Sequence, residues 1–137
     1  MTNSRTLAST AFLVLLVSPP ACGGGGREMN DMKQLGLAYH NFHDKNARGP
    51  KDVDDFLQGT NAEDHPVIKM TAAGGPVVFI WGVNIPDARA GAGNTVLAHQ
   101  SQVPTSGGIV LFVDGHVERL TAAQFAARPK PPSETKK

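Results

Sequence analysis

The chain has 137 residues, a formal net charge of +1 and one cysteine. With both ends set aside, that length suits one compact domain of roughly 100 residues and argues against two domains within it. Removing the first 21 residues takes away only Arg5 and leaves basic and acidic side chains equal in number. No basic excess therefore draws nucleic acid electrostatically, and Cys22 has no internal disulfide partner.

Met1 to Ala21 has a polar start with Arg5, an apolar run from Leu7 to Val17, and Ser18-Pro19-Pro20-Ala21 before Cys22. Residues 1–21 read as a secretory signal peptide. The run is shorter than the roughly 20 residues needed to span a bilayer, and prolines close it, so a mature membrane-spanning helix is the weaker reading. Ala21-Cys22 resembles the bacterial lipoprotein processing site, where the cysteine is acylated and becomes the new N-terminus. That accounts for a lone cysteine. Pro19 stands three residues before it, where such sites usually carry an aliphatic residue, and an ordinary secreted protein or an uncleaved leader is the competing reading. Gly23 to Gly26 follow no strand and precede no Lys-Ser/Thr, so they lack the context of a phosphate loop. Residues 22–27 read as a lipidated cysteine with a glycine tether.

From Glu28 to Asn46, Met29, Met32, Leu35, Tyr39 and Phe42 recur at the spacing of a helix burying one stripe, ended by Gly49-Pro50. Gly36 lies inside the stripe, where it costs about 1 kcal/mol of helix propensity, and so marks close approach of another backbone such as the sheet. His40 and His43 project from neighbouring positions, with Asp44 next. Such spacing can hold a metal, but a zinc site needs three or four ligands, with His99, His116 and Asp114 as the remaining candidates. In the simpler reading both histidines flank Tyr39 and hydrogen-bond to loop carbonyls or Asp44, and no metal or cofactor is assigned.

Lys51 to Gln58 reads as a short helical turn. Its Asp52, Asp54 and Asp55 lack the spacing of a calcium loop and suit a helix N-terminus instead. A polar loop follows around Asn61 to His65, and Val67 to Met70 leads into irregular structure. Val77 to Trp81 is continuously apolar, as in a central strand covered on both faces. Asn84 to Asn94 reads as an exposed connection, Thr95 to Gln100 as another strand, and Gln100 to Gly108 as a second connection.

Gly107 to Leu120 is the plainest β-hairpin signal. Asp114-Gly115 predicts a two-residue type I′ turn, setting Val113 opposite His116, Phe112 opposite Val117 and Ile109 opposite Leu120, with the first strand central and the second nearer an edge. The connections are too short for crossover helices, so four strands form an antiparallel meander. Thr121 to Gln124 fits a capping box before a short helix ending near Ala127, and residues 128–137 read as a disordered tail. The expected fold is α+β over residues 28–127: an N-terminal helix on an antiparallel sheet of about four strands, with a short C-terminal helix. There is no nucleophile elbow, Walker loop, Cys-x-x-Cys or His-Glu-x-x-His, which argues against an enzyme. Asp114 and His116 could be proposed as a catalytic pair, but Asp at a tight turn serves the backbone.

Two stretches, Met32-Lys33-Gln34-Leu35-Gly36-Leu37-Ala38-Tyr39-His40-Asn41-Phe42-His43-Asp44 and Val110-Leu111-Phe112-Val113-Asp114-Gly115-His116-Val117, together resemble a bacterial pseudopilin-like family of unknown function. That family typically has a prepilin leader, a long N-terminal helix and a C-terminal signature of His, nine residues and Asp-Gly. The resemblance implies a pilin-like head, with Gly36, His40, Asn41, His43, Asp44, Asp114 and Gly115 as structural motif residues. Pro104 occupies the place of the signature histidine, and a short leader with Cys22 replaces the prepilin leader. The expectation is an exported, non-enzymatic lipoprotein of the bacterial cell envelope. It is held to the membrane by lipid on Cys22, has an envelope protein or polymer as partner, and binds no nucleic acid. The alternative is a periplasmic metal- or small-ligand-binding protein using His40, His43 and perhaps His116.

Overall fold

A computed structural model describes residues 25–131. The predicted signal peptide, Cys22 and residues 132–137 lie outside the described residues. The apolar stripe forms α1, Gly25–Asn46, which buries Met32, Leu35, Ala38, Tyr39 and Phe42. The helix is already formed at Gly25, the first described residue, so Gly25, Gly26 and Arg27 belong to α1 rather than to a tether. Glu28 favours this start, since a carboxylate in the first turn faces the positive end of the helix dipole. The other end falls at Asn46 as expected, three residues before Gly49-Pro50. Ala47 takes a left-handed conformation (φ 56°) and donates its N–H to the His43 carbonyl at 2.7 Å.

The acidic turn forms α2, Val53–Gln58, where Asp52 caps the helix by accepting from the Asp55 N–H at 2.8 Å. The stretch expected to be irregular contains α3, His65–Lys69, with Pro66 in its first turn, where a missing N–H is tolerated. Phe56 and Ile68 on these helices pack into the same core as α1.

Four strands follow: β1 Val77–Phe79, β2 Val96–Gln100, β3 Gly108–Phe112 and β4 Val117–Leu120. They form one antiparallel sheet in the order β1-β2-β3-β4. The predicted α+β fold is therefore present: a long N-terminal helix on a four-stranded antiparallel sheet, with a short C-terminal helix. Ile109, Leu111 and Val113 face α1, whereas Val110 and Phe112 face a second core with Val103, Leu120 and Phe125. The latter core is closed by α4, Val103–Ser106, inside the expected connection, and by α5, Ala122–Ala127. The predicted capping box is present, with Gln124 N–H donating to Thr121 Oγ1 and Thr121 N–H donating to Gln124 Oε1.

Three further expectations are corrected. First, β1 is an edge strand, not a central one, and Val78 is 44% exposed. Its apolar run looks continuous because Val77 and Phe79 face the α1 core while Trp81, beyond the strand, folds onto Phe79 at 4.5 Å between ring centroids. Second, residues 128–131 are not a loose tail. Val96 N–H donates to the Pro129 carbonyl, Lys130 Nζ lies 4.3 Å from the Phe125 ring centroid, and Pro131 is buried.

Third, the hairpin register is shifted by one residue. Leu111 lies opposite Val117, Val110 opposite Glu118 and Gly108 opposite Leu120. A type I′ turn needs positive φ at both Asp114 and Gly115, but only Gly115 has it (φ 91°). Gly115 N–H donates to the Phe112 carbonyl and Phe112 N–H to the His116 carbonyl, closing a three-residue loop. The cause is tertiary: Val113 N–H bonds to the Thr95 carbonyl and Asp114 N–H to the Ala92 carbonyl, which withdraws both residues from the hairpin ladder. One residue of slip exchanges the faces of β4, so Val117 packs with the α1 core and Leu120 with the α5 core.

Candidate functional site

The two motif-bearing stretches meet where α1 crosses the β3–β4 turn. A Cβ at Gly36 would stand 2.9 Å from Leu111 Cδ1 and 3.3 Å from Gly115 Cα. The helix glycine thus admits the turn glycine, the close backbone approach its position in the stripe predicts. One turn further along α1, the His40 Nε2–H donates to the Val113 carbonyl at 2.9 Å. Because a carbonyl only accepts, this bond assigns the proton to Nε2.

His43 leaves the helix in another direction. Ile85 N–H donates to its Nε2 at 3.3 Å, so that nitrogen is unprotonated and Nδ1 carries the proton. Between the two histidines lies buried Tyr39, whose hydroxyl donates to the Val83 carbonyl at 2.7 Å. Burial, followed by the charge of Asp87, raises the Tyr39 phenol well above its usual range. The residues Tyr39, His40 and His43 therefore fasten α1 to two separate loops. The simpler reading of the histidines matches this geometry, with one difference: His43 accepts from a backbone N–H instead of donating to a carbonyl. Asn41 and Asp44 are exposed on α1.

Asp114 sits at the turn with its carboxylate folded back on the hairpin. Its Oδ1 accepts from the His116 backbone N–H at 3.0 Å and from His116 Nδ1 at 2.5 Å. The His116 ring lies flat on Phe112, 4.3 Å between centroids. Sequence reasoning identified the turn residues but missed this stacking, because it depends on the shifted register. Beside the turn is a hollow of about 320 Å³ lined by Lys33, Gly36, Leu37, His40, Asp114 and Gly115, with Leu37 55% exposed. Its lining carries no hydroxyl or thiol, and the Nε2 proton of His40 is engaged by a backbone carbonyl.

The candidates His99 and His116 do not join His40 and His43. His99 is on β2, packed 4.7 Å from the Phe125 ring, with Nδ1 2.7 Å from the Gln100 carbonyl. Among the described residues no group of three or more His, Cys, Asp or Glu side chains is placed to hold a metal ion. No helix among them is long and apolar enough to cross a membrane. No protein-family model matches the chain, and neither the curated proteins nor the solved structures provide a match.

Proposed function

We propose that this chain is a lipid-anchored protein of the bacterial envelope whose described residues form a pseudopilin-like head with a structural or protein-interaction role rather than a catalytic one. The observation that carries the reading is the contact between its two motif stretches. Gly36 receives Gly115, and His40 holds the Val113 carbonyl, so these residues serve the seating of the helix on the hairpin. A family motif made of residues that fasten a helix to a turn describes a scaffold, and loops displayed by that scaffold supply the interaction.

The anchor is proposed at Cys22. Because α1 is already formed at Gly25, no more than Gly23 and Gly24 lie between the cysteine and the described helix. A lipid there would keep the start of α1 on the order of 10 Å from the membrane surface. Metabolic labelling with palmitate tests this. Labelled wild type and unlabelled Cys22→Ser are expected, whereas an unlabelled wild type or equal labelling of both removes the anchor from the proposal.

A further inference from the structure

Because β1 is an edge strand, its pairing with β2 decides where its backbone groups point. Ile80 N–H bonds to the Leu97 carbonyl and Ser101 N–H to the Pro76 carbonyl, and Val78 lies opposite His99. Residues 76, 78 and 80 therefore face β2, and Val77 and Phe79 direct their N–H and C=O groups to the open side. The Met70 carbonyl accepts from Val77 N–H at 3.2 Å. Among the described residues nothing bonds the Phe79 N–H, the Phe79 carbonyl or the Val77 carbonyl. Val77 and Phe79 are only 3% and 5% exposed, so another strand can use this edge as a template only where it enters the groove beside it.

This edge borders a groove of about 560 Å³, walled by the start of α2 at Asp52 and Val53 and by the loop Thr71 to Gly75. Val78 and Trp81 offer apolar surface within it. The Trp81 ring is braced by Phe79 at 4.5 Å and Phe56 at 6.3 Å between centroids. A partly buried tryptophan held by neighbouring rings has the character of an interface anchor. The walls on either side suit a single extended chain better than the broad edge of a second folded sheet. Asp52 is the one charged residue lining the groove, so the complementary segment carries a cation.

We propose that this groove binds an extended polypeptide segment of a partner protein, which adds to the sheet beside β1. The segment places apolar side chains on Val78 and Trp81 and a Lys or Arg near Asp52. Its backbone bonds to Phe79 and to the Val77 carbonyl, the mode by which open sheet edges recognise peptides. The inference rests on the protein-interaction reading above and names the chemistry of the partner. It is independent of the anchor, which palmitate labelling tests separately.

Selection of displayed random short peptides on the full chain, followed by binding measurements and amide hydrogen exchange, tests the groove. Enriched peptides are expected to be apolar with a cation and to protect the Phe79 amide from exchange. Trp81→Ala should weaken them about tenfold. Asp52→Asn keeps a side chain able to cap α2 while removing the charge, and should weaken them about two- to fivefold. N-methylation at alternate peptide positions should abolish binding in one register and spare it in the other, because only one edge of the added strand faces β1. Absence of enrichment, protection confined to other segments, or indifference to the methylation register overturns the proposal.

Discussion

At the scale of single residues, glycines decide how α1 and the hairpin approach each other. Gly36 was legible because a glycine inside an apolar helical stripe loses helix propensity without an evident local return, and the return is the close contact with Gly115. Gly115 is constrained differently, by its φ of 91°. A Cβ there would meet His40 Nε2 at an ordinary 3.5 Å, so backbone strain rather than crowding governs substitution. Gly115→Val should destabilise the fold by about 2 kcal/mol or more, and Gly115→Asn by less than about 1 kcal/mol, since Asn enters the left-handed region more readily. Urea unfolding of the two variants checks the order. Equal losses would show that space, not conformation, is limiting. The histidines illustrate what residue identity leaves open. Spacing placed His40 and His43 on adjacent turns of one helix, but only the positions of Val113 and Ile85 show that they hold different loops in opposite hydrogen-bonding roles.

At the scale of elements, periodicity located what packing then terminated. The stripe from Met29 to Phe42 predicted α1, yet its C-terminus depends on Ala47, an exposed alanine in a conformation that favours glycine. Ala47→Gly should stabilise the protein by about 0.5–1 kcal/mol, because relief of the left-handed strain outweighs the extra entropy of the unfolded chain and no packing is lost. The midpoint of thermal unfolding should rise. A fall would mean that the helix end is held by other contacts, such as the bond from Asn46 Nδ2 to the Phe42 carbonyl at 2.8 Å. The short elements were less legible. The turns that became α3 and α4 each bury one apolar residue, Ile68 and Val103, too few to generate a period. The Thr121 to Gln124 capping box was readable because all its partners lie within four residues.

At the scale of the whole molecule, two titrations couple folding to acidity. His99 is buried, and desolvation lowers its proton affinity. The Gln100 carbonyl opposes this and the charge of Lys130 adds to it. The unfolded chain therefore binds a proton near the usual 6.5 that the folded chain refuses until lower pH, so stability falls as pH drops below about 6.5. Asp55 is held at about 2, below its usual 3.8, chiefly by two hydrogen bonds from the Arg48 guanidinium, at 2.6 and 3.0 Å. Its contribution is present above about 4 and is lost as pH falls towards 2. Thermal unfolding measured from neutral to acid pH should thus show two successive losses, and Asp55→Asn should delete the lower one. A flat profile across the upper window would contradict the burial of His99. The sequence by itself determined the fold class, the helix on a four-stranded meander, the capping box and the glycine that admits close packing. Each depends on periods or short motifs whose partners lie nearby in the chain. Only the tertiary structure decided the hairpin register, the edge position of β1 and the ordering of residues 128–131. The register and the tail depend on backbone bonds to Thr95, Ala92 and Val96 from far along the chain, and the edge position of β1 on its pairing with β2 alone; local pattern cannot rank such distant partners.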